Sequence, residues 1–218
     1  MNAFVLRVVN GVSNRITAWR RQQFINKNRK RLRNTNFSII SSNCNGSIVC
    51  SDLGVPFNSP FVNLFMTASD YIKLLEDFQG YMAQELRFVQ EEDPFYGKVT
   101  YPTAYLGDVK IYFMHYASEG EARDALDRRK KRINMDNLFI MFTDRSGCTQ
   151  ADLERFDRLP YKHKLVLTHV PHPEIQSAFY IKGFENESKV PVTIDYVDAR
   201  HPVKRIQDQF DFVSWLND

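Results

Sequence analysis

Three short apolar runs, two of them broken by clusters of small polar residues, constrain this chain more than any other feature. They are Phe37–Ser41, Asn137–Thr143 and Lys164–His169. Runs of this length, rich in β-branched and aromatic residues, predict strands buried on both faces, as in a parallel sheet. The first run opens into Ser42-Asn43-Cys44-Asn45-Gly46, and Ser47–Leu53 then reads as a helix ending at Gly54. A strand, a tight polar turn and a helix start place functional groups at one edge of an α/β sheet. The second run ends in Asp144-Arg145-Ser146-Gly147-Cys148, and the third ends at His169.

Helical patterns lie between the strands. Thr67-Ala68-Ser69-Asp70, Ser118-Glu119-Gly120-Glu121 and Thr149-Gln150-Ala151-Asp152 have the form of capping boxes. They predict helices over Tyr71–Val89, from Glu119 to about Asn134, and a short one ending near Leu159. Phe61–Phe65 reads as a strand, residues 91–97 as an acidic loop, and Thr100–Leu106 with Val109–Tyr116 as a hairpin turning at Gly107-Asp108. Phe179–Ile181 is a further short strand, and Asp208–Leu216 is a terminal helix packing through Phe210, Val213 and Trp215. The alternation predicts an α/β fold: a single three-layer domain over residues 35–218 with a mixed, partly parallel sheet, preceded by a basic N-terminal helix.

That N-terminal arm, residues 1–34, holds nine Lys/Arg and no Asp or Glu, whereas the remainder holds 20 Lys/Arg against 26 acids. Phe4, Val5, Val8, Val9, Val12, Ile16, Trp19, Phe24 and Ile25 recur at helical spacing with Arg7, Arg15, Arg20 and Arg21 interleaved. Such a helix either packs on the body with a solvated charged face or lies on an anionic membrane surface. Base-stacking modules and nucleic-acid motifs are absent, so nucleic acid is not an expected partner. No apolar stretch of about 18 residues exists to span a membrane. The three sparse cysteines, Cys44, Cys50 and Cys148, predict reduced thiols and a cytoplasmic setting, with peripheral attachment at the inner face of the membrane if the arm binds lipid.

Cys44 is the candidate nucleophile, because a helix N-terminus favours the thiolate. Such a nucleophile needs a base, and His115 and His169 both follow apolar strands. If those strands run parallel to Phe37–Ser41, the two histidines and Cys44 gather at one sheet edge, with Asp144 available to orient a histidine. Asn43 and Asn45 are candidate substrate-binding residues beside the cysteine. Arg129 falls on the inward stripe of its helix with Ala122, Ala125, Leu126 and Ile133. An inward arginine needs a partner: a carboxylate such as Asp108, Asp136 or Asp144, or a substrate phosphate held bidentately. The competing reading of the cysteine and histidines is a buried structural thiol and hydrogen-bonded imidazoles. No dinucleotide, Walker or metalloprotease motif occurs, and no cofactor or metal is indicated. The Asp-x-Asp pattern of many metal-dependent sugar transferases is also missing; Asp195-Tyr196-Val197-Asp198 has two intervening residues.

The blocks SIISSNC, PFNSPFVNLF, DYIKLLEDFQGYM, YLGDVKIYFMHY, RRKKRIN, DNLFIMFTDR, GCT and SAFYIKGFE resemble a bacterial family of unknown function found among capsule and exopolysaccharide genes. The resemblance covers roughly residues 36–185, with an echo in DFVSWLN near the end, and leaves the basic arm outside. In that family an aromatic residue and a second glycine often follow the cysteine, where this chain has Asn45 and Ser47. The resemblance implies a surface-polysaccharide biosynthesis protein, such as an acyl- or glycosyl-group transferase acting on a glycan, nucleotide-sugar or lipid-linked precursor. A non-catalytic component of a membrane-bound polysaccharide assembly complex is the alternative it leaves open.

Overall fold

The computed structural model describes residues 3–90, 92–93, 96–198 and 201–218, with side chains from Arg15 onward. The basic arm forms helix α1 (Ala3–Arg31), followed by β1 (Ser38–Ser41) and α2 (Asn45–Leu53). Then come α3 (Ala68–Glu76), α4 (Phe78–Met82), β2 (Leu86–Val89), β3 (Thr103–Leu106), β4 (Val109–Tyr112) and α5 (Glu119–Lys130). The chain continues through β5 (Leu138–Thr143), α6 (Gln150–Asp157), β6 (His163–Thr168), β7 (Ala178–Tyr180), a 3-10 turn (Ile206–Gln209) and α7 (Phe212–Leu216).

The fold is α/β. Strands β1-β5-β6-β7 form a sheet in which every pairing is parallel. The antiparallel strands form a sheet of their own, β2-β3-β4. Alternation along the parallel strands sends side chains to two cores. Ile40, Ile140, Phe142 and Val166 face α3, α6 and the antiparallel sheet. Ile39, Phe139, Met141, Leu165 and Leu167 face α2 and α7. Both faces are covered, which is why these strands read as unbroken apolar runs. The Tyr71 hydroxyl lies 2.8 Å from the Ile40 carbonyl and 3.1 Å from that of Met141, tying α3 to both strands.

Four expectations need correction. The helical stripe over Tyr71–Val89 is broken at Asp77, whose backbone leaves the helical region (φ −138°, ψ 59°). Its carboxylate instead accepts from the Gly80 N–H at 3.1 Å and starts α4, and Leu86–Val89 pairs as strand β2. Leu86 and Val89 suit either period, so the sequence pattern does not separate the two. Phe61–Phe65 is not a strand, because Asn63 adopts φ +63°. This buried stretch flanks β1, held by Asn58 Nδ2 on the Phe37 carbonyl at 3.5 Å and the Met66 N–H on the Ser42 carbonyl at 3.0 Å. The terminal helix is split at Phe210 (ψ 139°), and Asp211 caps α7 by accepting from the Ser214 N–H. Of the three expected capping boxes, Thr149–Asp152 is reciprocal, whereas Thr67 and Ser118 each accept from the third N–H without the return bond. The predicted acidic loop 91–97 lies partly outside the described residues.

The last half of α1 docks on the body. Arg21 reaches the Val203 carbonyl at 3.0 Å, Asp208 at 2.5 Å and Asp52, while Arg29 Nε donates to the Asp52 carbonyl at 2.8 Å. Among the described residues no helix is long and apolar enough to cross a membrane.

Candidate functional site

The C-terminal edge of the parallel sheet gathers the turns after β1, β5 and β6. Asn43 joins the first two: its Oδ1 accepts the Asn45 N–H at 3.0 Å, and its Nδ2 donates to Thr143 Oγ1 at 3.3 Å. Asn45 turns inward, donating from Nδ2 to the buried Thr193 Oγ1 at 2.5 Å. It is therefore a packing residue linking the turn to the loop after β7. Gly46 fits where α2 crosses β1; a Cβ there would meet Ile39 Cγ2 at 2.8 Å. The Ala68 N–H donates to the Ser146 carbonyl at 3.0 Å, so the start of α3 is fixed to the same edge.

Asp144 and His169 are the pair that sequence reasoning places together and the structure joins. The Asp144 carboxylate accepts from the Val190 N–H at 2.7 Å and the His169 N–H at 2.8 Å, and it meets His169 Nδ1 at 2.5 Å. A carboxylate only accepts, so Nδ1 carries a proton, and in the neutral ring Nε2 has the lone pair. Asp144 is nearly enclosed, with 6% of its side chain exposed, whereas His169 keeps 19%. An oriented, partly accessible imidazole is the arrangement of a general base.

Cys44 does not fit the activated role. It is the N-cap residue of α2 and makes no side-chain capping bond. Burial pushes its thiol up, and a hydrogen bond from the Asn63 backbone offsets part of that rise. Cys50 and Cys148 are both pushed up to about 12, chiefly by burial. Cys44 and His169 follow strands separated by β5, a spacing of about 10 Å between strand axes. A raised thiol carries less thiolate at every pH below its pKa, so iodoacetamide is expected to label native Cys44 more slowly than a free thiol at pH 7–8. Labelling faster than free cysteine would restore the nucleophile.

The remaining candidates lie elsewhere. His115 is exposed and follows β4, a strand of the separate antiparallel sheet, so it does not follow one of the parallel strands that end at this edge. Arg129 points inward as predicted, but its partners are neither carboxylate nor open space. Its Nη1 bonds the Tyr116 hydroxyl and reaches the Val62 carbonyl at 3.3 Å. Asp108 is exposed in the β3–β4 turn, accepting from Tyr81 Oη at 2.6 Å and Lys73 Nζ at 3.2 Å. The Tyr81 bond, then Lys73, hold its carboxyl below the usual range.

Asp108 nevertheless lines a cleft that sequence reasoning missed. This opening of about 910 Å³ lies between the antiparallel sheet, the start of α3 and the β5–α6 turn, with Asp70, Tyr96, Tyr105, Lys110 and Ser146 in its walls. Its floor is a buried ion pair: Lys110 Nζ lies 2.8 Å from Asp93 Oδ2, which also accepts from Tyr112 Oη at 2.5 Å. Burial pushes the Asp70 carboxyl up, against the Thr67 hydrogen bond, so the cleft carboxyls of Asp70 and Asp108 are shifted in opposite directions. Ser146 and Lys189 in the cleft wall lie two residues from Asp144 and one from Val190, its backbone partner. The walls come from five separated parts of the chain, and only the Lys110-x-Tyr112 alternation left a local trace. Among the described residues no cluster of three or more His, Cys, Asp or Glu side chains is placed to hold a metal ion.

Comparison with known proteins agrees along nearly the whole chain. A Haemophilus influenzae (strain Rd) protein called "Uncharacterized protein" is 43% identical over 199 residues, covering 91% of this chain and 93% of its own length. The profile of the family described as "Domain of unknown function (DUF1919)" matches residues 15–217, which include the docked half of α1, both sheets and the Asp144–His169 edge; the chain belongs to that family.

Proposed function

We propose that this protein acts in surface polysaccharide (exopolysaccharide or capsule) biosynthesis and transfers or modifies a group on a glycan or its precursor. The observation that carries this reading is the Asp144–His169 pair at the sheet edge, with Asp144 two residues before Ser146 in the wall of a cleft of tyrosines and carboxyls. Tyrosine rings pack against the C–H faces of sugars, and carboxylates accept hydrogen bonds from their hydroxyls. The volume is in the range of small-molecule sites. In this reading His169 Nε2 takes the proton of a glycan hydroxyl as that oxygen bonds to the transferred group, a contribution of about 10²–10⁴-fold in rate. The bond from that group to its donor carrier breaks, and the carrier leaves with the electron pair and can take the proton back from His169. Asp70 stands in the cleft wall with its carboxyl pushed up by burial against the Thr67 hydrogen bond. Arg129 and Lys110 are committed to internal partners, so in this reading recognition rests on hydroxyls, with exposed Lys189 as a cation in the cleft wall. The resemblance to capsule- and exopolysaccharide-associated proteins supports the choice of glycan. Cells whose own copy carries His169→Ala are expected to make surface polysaccharide of altered composition or yield while keeping normal levels of the folded protein.

A further inference from the structure

Helix α1 carries two faces. Thr17, Arg21, Phe24 and Ile25 form the docked one: Thr17 and Arg21 are buried, and Phe24 and Ile25 line a small cavity against Val49, Leu53 and Phe212. At about 100° per residue, Ile16 and Trp19 fall roughly 140° around the helix from that face. They are 47% and 61% exposed. Arg15 and Arg20, both exposed, flank this stripe on either side, and exposed Lys27 and Lys30 continue it toward the C-terminal end. No acidic residue occurs among the first 34 positions, whereas the rest of the chain has more acids than bases.

We propose that this outward face of α1 binds an anionic lipid bilayer, with Trp19 and Ile16 entering the interface and the flanking cations meeting lipid headgroups. Charge complementarity selects this occupant. Two apolar side chains between arginines, on a helix whose other face is anchored by Arg21, suit a flat interface in which apolar groups sink and cations stay at headgroup level. The acidic body is then held away from the like-charged surface. This inference goes beyond the proposed chemistry and stands whether or not His169 is a base.

The test is co-sedimentation of the full-length protein with vesicles of phosphatidylcholine alone or with about 30 mol % phosphatidylglycerol. Binding at least about tenfold stronger to the anionic vesicles, weakened by salt, is expected. Ile16→Ala/Trp19→Ala should lose about tenfold of that binding and Arg15→Glu/Arg20→Glu nearly all of it. All four positions are exposed, so both variants should keep the wild-type circular dichroism and melting temperature. Equal sedimentation with neutral and anionic vesicles, or binding unchanged in both variants, would overturn the proposal. So would a concentration-dependent dimer that Trp19→Ala abolishes in a protein that ignores vesicles, since the stripe would then be a self-interface.

Discussion

Replacing Asp144 with Ala is expected to destabilise the protein by about 3 kcal/mol, because buried donors left without acceptors cost roughly 1–3 kcal/mol each. Its carboxylate satisfies the Val190 N–H, the His169 N–H and the His169 ring at once. For a chain of this size the loss corresponds to a fall in melting temperature of roughly 6–12 °C. Asp144→Asn separates stability from chemistry. Its amide oxygen can still serve the Val190 N–H, so less stability is lost. With that oxygen on Val190, its NH₂ group takes the place of Oδ2: it leaves the His169 N–H without an acceptor and makes His169 Nδ1 the acceptor. The ring proton then moves to Nε2, which removes the lone pair that the proposed base uses. Thermal melting of the two variants beside their effect on the polysaccharide measures both terms. An Asp144→Ala protein as stable as the wild type would contradict the hydrogen-bond arrangement.

Arg21→Ala is expected to cost a further large amount, about 3 kcal/mol, because removing one partner strands buried charge. The Arg21 side chain is 8% exposed and pairs with Asp208, 9% exposed, and Asp52, 21% exposed. Arg205 Nε remains 3.4 Å from Asp52, and the Arg205 N–H still donates to Asp208, which keeps the loss at the lower end for buried pairs. The same change frees α1, whose cation also sits over the Phe24 ring at 5.3 Å and that of Tyr196 at 5.8 Å. Limited proteolysis should therefore cut within residues 15–31 in the variant well before the wild type. Equal protection would show that Arg29 and Arg31 hold the helix unaided.

Arg21 also shows where the sequence stops speaking. Its neighbours Arg15 and Arg20 are exposed as a basic face should be, and nothing in the local pattern marks Arg21 as the one that turns inward to two aspartates 31 and 187 residues away. The parallel strands were legible because burial on both faces leaves an unbroken apolar run, and their ends therefore located Asn43, Cys44, Asp144 and His169 at one edge. His115 failed for the complementary reason: an apolar run does not reveal strand direction, and β4 belongs to a hairpin. Arg129 was legible as an inward arginine, but its Tyr116 and Val62 partners depend on how the 58–66 segment lies beside β1. The turn at Asp77 was hidden because an apolar stripe at Leu86 and Val89 fits both periods. The cleft was invisible for a plainer reason. Asp70, Asp93, Lys110, Ser146 and Lys189 are neighbours only after two sheets have formed and packed.

The direct measurement is the sugar and substituent composition of surface polysaccharide from cells carrying His169→Ala, set beside Cys44→Ser and wild type at matched protein levels. The account predicts altered composition or yield with His169→Ala and wild-type polysaccharide with Cys44→Ser. Unaltered polysaccharide with His169→Ala would contradict it.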